Sequence, residues 1–264
     1  MPRFSIITVC WNAARTLPRA IASVRAQTNR DFEYILVDGG STDGTLDLIK
    51  QSSDVVTRFV SERDKGISDA FNKGVAMAQG ELVGLLNADD WYEPGALEAV
   101  SREIDRHPAD VYCGLLRYWN GEQPGALFEV RPELLRESMS VNHIATFARR
   151  ELFTKHGDFK LDYRAAMDYE LLLRFYLRGA RFHRVGEVLA NMSLGGTSDV
   201  KWRLALAELR RAQLENGLGA VHANAHYLFQ LGKGAARRVL ERSGIGAQVV
   251  DLYRKRLARV RRSA

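Results

Sequence analysis

Two stretches, Phe4-Ser5-Ile6-Ile7-Thr8-Val9-Cys10 and Phe32-Glu33-Tyr34-Ile35-Leu36-Val37-Asp38-Gly39-Gly40-Ser41-Thr42-Asp43-Gly44, decide the architecture. The first is apolar on both faces and rich in β-branched residues, as a strand covered on both sides must be. Between the two, Leu17, Ile21 and Val24 recur at i, i+4 and i+7, the core-facing stripe of a helix. The second run breaks into a Gly-rich turn with Ser and Thr in capping position, and Leu46, Leu48 and Ile49 open the next helix. The pattern continues outward with a strand at 55–60, a helix at 68–79 and a strand at 82–86. A helix then runs from a first turn at Pro94 to about residue 106, followed by a strand at 111–118. Such alternation predicts a parallel sheet flanked by helices, with ligands bound beyond the carboxyl ends of its strands.

Composition narrows the class. The chain has 264 residues, 46% apolar and 27% charged, the balance of an ordinary globular protein of one large domain or two small ones. Disorder, collagen-like repeats and disulfide scaffolds are excluded. The longest uncharged run, 216–232, carries two His, two Asn, a Gln and several glycines, a poor membrane span. Met1-Pro2-Arg3 leads straight into the first strand without a secretory signal pattern, and Cys10 and Cys113 both fall in apolar runs. The expected location is therefore cytoplasmic, where buried thiols stay reduced. The net charge of +6 is a property of one end: residues 237–264 hold nine Arg or Lys against two acids, and the rest is near neutral. A basic binding face for nucleic acid is not expected on the body.

Residues 120–200 are patterned differently. A Gly/Pro segment leads to strand-like residues at 128–130 and 141–147, a helix near 151–156, a helix over 168–178 and a strand over 182–192. From residue 199 the chain reads helical, with breaks at 217–219, 232–234 and 244–246.

The predicted strand ends are Asn12, Asp38, Glu62-Arg63-Asp64 and Asn87-Ala88-Asp89-Asp90, and three of the four carry carboxylates. A mouth so lined suits a divalent cation bridging to a phosphorylated ligand. Asp89 and Asp90, adjacent acids at the end of an apolar strand, are unfavourable together unless solvated or neutralised by Mg²⁺ or Mn²⁺; a solvated turn is the plainer alternative. Asp38 either accepts from a base or ribose or serves its turn's conformation only. Neither a Gly-x-Gly-x-x-Gly fingerprint after a strand nor a Gly-x-x-x-x-Gly-Lys-Ser/Thr loop occurs.

Four motifs in order resemble the nucleotide-sugar-binding half of family 2 glycosyltransferases. They are the run from Ser5 to Asn12, Val37-Asp38-Gly39-Gly40-Ser41-Thr42-Asp43-Gly44-Thr45, Ser61-Glu62-Arg63-Asp64-Lys65-Gly66-Ile67 through Asn72-Lys73-Gly74, and Gly80-Glu81 through Asn87-Ala88-Asp89-Asp90. The resemblance is strong over 3 to about 115 and moderate over 140–200. It implies an α/β GT-A fold, a mostly parallel sheet flanked by helices. Residues 1–200 would be the transferase domain (1–119 the nucleotide-sugar half, 120–200 the acceptor half), and 201–264 a helical basic extension. It further implies inverting transfer from a nucleotide-diphosphate sugar to a saccharide or lipid-linked saccharide in polysaccharide assembly. The donor would lie against Thr8, Asn12, Asp38, Asp64, Asn72 and Asp89, with Mn²⁺ or Mg²⁺ on Asp89 and Asp90. Two departures are visible: Gly39 stands where many relatives carry a second Asp that contacts the base, and Asn87 where many carry a first acidic residue.

Inverting transfer needs a base for the acceptor hydroxyl. Asp168, in Met167-Asp168-Tyr169-Glu170, resembles the family's late acidic motif; Glu170 ranks second, and a helix-dipole role is the plain reading of Asp168. His143 is a candidate acceptor or leaving-group contact or else a structural residue, and Trp91, followed by Tyr92, either stacks on a sugar ring or belongs to the core. Gly195-Gly196-Thr197-Ser198 reads as a mobile loop or a plain linker. In the tail, Val250, Tyr253, Leu257 and Val260 form one apolar stripe beside Arg and Lys. That pattern fits peripheral contact with an anionic membrane at the inner face, or packing on the protein body. Two competing functions are nucleic-acid binding through the tail and sugar-1-phosphate nucleotidyl transfer. The near-neutral body argues against the first, and the lack of a Gly-rich basic opening loop against the second.

Overall fold

The computed structural model describes residues 1–194 and 202–242, with side chains through Gly234. Two compact units result, Met1–Leu218 and Gly219–Ala264. In the first unit β1 (Phe4–Cys10), α1 (Leu17–Arg25), β2 (Phe32–Asp38), α2 (Thr45–Gln51) and β3 (Arg58–Ser61) alternate as expected. They are followed by α3 (Ile67–Met77), β4 (Leu82–Asn87), β5 (Trp91–Tyr92), α4 (Ala96–Arg106), β6 (Val111–Asn120) and β7 (Gln123–Phe128). The unit closes with β8 (Thr146–Arg149), α5 (Arg150–His156), α6 (Met167–Leu177), β9 (Phe182–Ser193) and α7 (Trp202–Glu215). The helix from Trp202 thus belongs to the first compact unit.

One sheet runs β3-β2-β1-β4-β8-β6-β9-β5, with β7 paired to β6. The pairs β1–β2, β1–β4, β2–β3 and β6–β9 are parallel, whereas β8 enters antiparallel between β4 and β6. Alternation along β1 explains the layers. Ile7 and Val9 face a core shared with Phe71 and Val75 of α3, Leu152 of α5 and Leu172 of α6. Phe4, Ile6 and Cys10 face the opposite core with Leu17 and Ile21 of α1, Ile49 of α2 and Leu97 of α4. Gly74 lets α3 lie on β1, because a Cβ there would collide with Ile7 Cγ2. Both thiols are buried, and burial pushes Cys113 up to about 12.

Four local expectations change. The third strand begins at Arg58 because the amides of Val55 and Val56 turn back to the Ser52 carbonyl. The Gly/Pro segment itself forms β7, an outer strand where Pro124 opposes Trp119 and costs no ladder bond. Residues 143–145 form a 3₁₀ turn because the Asn142 side chain accepts from the Ile144 amide, so β8 starts only at Thr146. The chain does break at Gly217, where φ is +82° and the Leu218 amide bonds the Gln213 carbonyl. In the second unit, by contrast, α8 (Ala220–Arg242) runs unbroken through 232–234. An interior glycine costs only about 1 kcal/mol, too little to end a long helix. No described helix is long and apolar enough to cross a membrane. The 195–198 loop and the apolar stripe beyond Val250 lie outside the described residues.

Candidate active site

The carboxyl ends of β1, β2 and β4 open on one side of the sheet. The loops after β1 and β2 are knitted together. The Asn12 amide donates to Ser41 Oγ (2.8 Å), and its Oδ1 accepts from the Thr42 amide (2.9 Å). The Ala13 amide donates to Thr45 Oγ1 (2.8 Å). Asn12 itself has φ +48°, a left-handed conformation that Asn tolerates.

Asp38 is the hub of this turn. It is fully buried, and its carboxylate accepts from the Ser41 amide, the Ser41 hydroxyl and Ser61 Oγ (2.6 Å). Its bonds are spent inside the chain, so the expected contact with base or ribose is replaced by a role in shaping the loop. Thr8 is likewise corrected: its hydroxyl is buried in the core, accepting from Tyr34 OH at 3.1 Å. Asn72 pairs both ends of its amide with the Phe159 backbone, at 2.9 Å each, and so ties α3 to the segment before α6 rather than reaching a donor.

Asp64 does reach the mouth. It is half-buried, and one oxygen accepts from the Gly66 amide at 2.8 Å. The other lies so near the turn that a Cβ at Gly39 would stand 2.6 Å from it. Gly39 therefore makes room for the Asp64 carboxylate, and the exposed Trp11 borders the same spot.

At the end of β4, Asp90 is 1% exposed. Its oxygens accept from Asn87 Nδ2 (2.9 Å) and the Ser193 amide (3.2 Å). Burial first, and then the neighbouring Asp89 charge, push its carboxyl up to about 7. Asp89 is half-buried, and among the described residues its carboxylate has no hydrogen-bond partner; its backbone carbonyl accepts from Arg19 (3.0 Å) and Ser193 Oγ (3.1 Å). Among the described residues, buried Asn87 Oδ1 has no hydrogen-bond partner. Two crowded carboxylates and an orphaned oxygen are hard, anionic or dipolar donors that a divalent cation would satisfy, so the residues fit such an ion. Trp91 beside them is half-buried, with the Arg19 guanidinium 3.5 Å above its ring and Trp119 at 5.4 Å on centroids.

Asp168 opens α6, with Oδ1 accepting from the Tyr169 amide (2.8 Å) and Oδ2 lying 2.9 Å from His143 Nδ1. His143 is buried against Phe71, and among the described residues its Nε2 has no hydrogen-bond partner. Of the two readings of His143, the structural one has these contacts with Asp168 and the Phe71 ring behind it. Glu170 is removed as a base: it is fully buried and paired with Arg174 and Lys160.

Sequence reading missed the residue that holds this corner. Glu208 of α7 is buried, and its carboxylate accepts from the amides of Arg164, Ala165 and Ala166 at 2.8–2.9 Å, just before α6. It supplies the acceptors that the start of the helix lacks. Arg19 and Trp119 were missed as well. Nothing local in the sequence marks any of the three, because Glu208 bonds amides 42–44 residues back, Arg19 reaches Asp89, and Trp119 reaches Trp91 and Asn191, all distant in the chain.

Comparison with known proteins agrees with this fold. The family profile described as "Glycosyl transferase family 2" matches residues 5–168. A "PGL/p-HBAD biosynthesis glycosyltransferase" of Mycobacterium tuberculosis is 37% identical over 195 residues, 71% of this chain and 75% of its own. Among solved structures, Staphylococcus aureus TarS 1-349 in complex with UDP-GlcNAc superposes with a TM-score of 0.68 at 19% identity, over 85% of this chain and 70% of its own. The mannosyltransferase PcManGT from Pyrobaculum calidifontis, in complex with GDP-Man and Mn²⁺, gives 0.63 at 18% identity, over 97% of this chain and 87% of its own. At such identities the two structures establish the shared GT-A fold.

Proposed function

The chain belongs to glycosyl transferase family 2 and is a glycosyltransferase, and from that premise we propose that it moves a sugar from a nucleotide-diphosphate donor to an acceptor hydroxyl with inversion, Asp168 serving as the base. The observation that carries this reading is a convergence of distant residues. His143 is bonded to Asp168, its neighbour Asn142 bonds Met192 Sδ on β9, and the next residue of that strand, Ser193, bonds Asp90, so α6 and the end of β4 address one space. Asp168 takes the acceptor's proton as the acceptor oxygen bonds C1, and the C1–O bond to the diphosphate breaks on the opposite face. Tyr169 N–H and His143 hold the carboxylate oriented for that transfer. Asp64, beside Gly39 and Trp11, stands at the nucleoside end of the donor, with Asn12 bracing the loop beneath it. Asp89 and Asp90 would hold a divalent cation, Mn²⁺ or Mg²⁺, which when bound supplies charge that stabilises the departing diphosphate. The acceptor is a saccharide or lipid-linked saccharide, for which half-buried Trp91 and Trp119 offer aromatic surface beside the acidic pair.

UDP- and GDP-sugars with Mn²⁺ should raise the melting temperature, and the stabilising donor should release its nucleoside diphosphate in the presence of acceptor. Stabilisation by nucleoside triphosphate with sugar phosphate alone, or by no nucleotide, overturns the proposal.

A further inference from the structure

At the far end of β9 from the acidic pair, Glu103, His107 and His183 bring one ligand atom each to within 4.8 Å of the others. Glu103 lies on the last turn of α4, and His107 follows four residues later on the same side, just past the helix end. His183 comes from the second position of β9. Its Nε2 stands 2.7 Å from Glu103 Oε2, and His107 Nε2 stands 3.9 Å from the same oxygen. The two imidazoles stack at 4.7 Å with 20° between planes.

Two imidazoles and one carboxylate are a zinc ligand set that leaves a fourth position for water. Metal–ligand bonds of about 2.0–2.2 Å in a tetrahedron put ligand atoms roughly 3.3 Å apart. The two distances to Glu103 fall on either side of that value, and all three ligand atoms lie within 4.8 Å of one another, so closure draws His107 inward. The framework is fixed where it should be: Tyr112 OH donates to the His107 carbonyl at 3.0 Å, and the Tyr112 ring packs edge-on against His183. His107, the most exposed of the three, is the ligand free to swing in. Among the described residues, the guanidinium paired with Glu103 is that of Arg106, 3.9 Å from the oxygen that does not face the imidazoles.

We propose that Glu103, His107 and His183 form a second metal site, selective for zinc-class transition ions, that clamps the end of α4 to the start of β9. It is separate from the acidic pair. Ser193, which bonds Asp90, ends the strand ten residues beyond His183, about 30 Å at ~3.3 Å per residue. It also differs in chemistry, since imidazole favours zinc while oxygen-only donors favour Mg²⁺ or Mn²⁺.

The test is calorimetric titration of the metal-stripped, full-length Asp90→Asn chain with ZnCl2, so that the acidic pair does not compete, alongside melting curves. One saturable zinc per chain is expected, with a rise in melting temperature. Adding His183→Ala should weaken binding by about tenfold or more, since even outer partners of a metal site are worth roughly 10–100-fold. Glu103→Gln, which keeps an acceptor for His183 but loses the charge, should do the same while its metal-free melting stays near that of the parent. No saturable zinc in the parent, or zinc affinity equal to the parent's in either variant, overturns the site.

Discussion

His143 Nδ1 lies 2.9 Å from Asp168 Oδ2, joining the turn before β8 to the first turn of α6 across 25 residues of sequence. This contact fixes where the carboxylate points. Replacing Asp168 by Asn keeps the size and the bond to Tyr169 N–H but removes proton acceptance. kcat should fall by ~10²–10⁴ with little change in donor affinity. His143→Phe should cost less in kcat and leave donor affinity equally untouched. Steady-state kinetics with a donor titration checks both; loss of donor binding in either variant contradicts the assignment.

Asp90 predicts a pH dependence. Its folded pKa of about 7 lies above the ordinary carboxylate value of 3.8. Between pH 4 and 7 the unfolded chain releases this proton while the folded chain keeps it, so stability falls as pH rises through that window and levels off above it. The penalty at neutral pH is on the order of a few kcal/mol without metal. Asp90→Asn should therefore raise the neutral-pH melting temperature of the metal-free protein, yet abolish turnover, as chelation should in the parent. A melting temperature unchanged by the substitution at pH 7.5 and at pH 4 alike would refute this.

Glu208→Ala strips three backbone amides of their acceptor ahead of α6. Unfolding free energy should drop by about 1–3 kcal/mol, and kcat should drop while donor KM holds, because the β1, β2 and β4 ends are untouched. Glu208→Gln, which retains one carbonyl oxygen, should recover part of both. Urea unfolding with parallel kinetics is the measurement.

Gly39→Ala sets a methyl 2.6 Å from Asp64 Oδ2. Donor affinity should weaken several-fold as Asp64 is displaced, and in an Asp64→Ala background the same change should cost little. The double-mutant cycle gives the coupling directly. Additive effects would show that Asp64 and Gly39 do not share the donor site.

Much of this was readable from local pattern. Apolar runs with no polar face, such as 4–10 and 32–37, dictate covered strands, and the i, i+4, i+7 stripe of Leu17, Ile21 and Val24 dictates a helix. The acids at strand ends placed the site at the sheet's carboxyl edge. What sequence left open was which polar atoms the fold itself consumes. Asp38 and Asp64 look alike in the sequence, yet Asp38 is used up by Ser41 and Ser61 while Asp64 keeps an oxygen at the mouth. Glu170 and Asp168 are two residues apart on one helix, and burial against Arg174 and Lys160 takes the first out of contention. The antiparallel insertion of β8 and the capping by Glu208 depend on pairs distant in the chain. Periodicity records which face of a residue meets the core; only packing decides which hydrogen bonds are already spent, and that is what separates a structural carboxylate from one free to react.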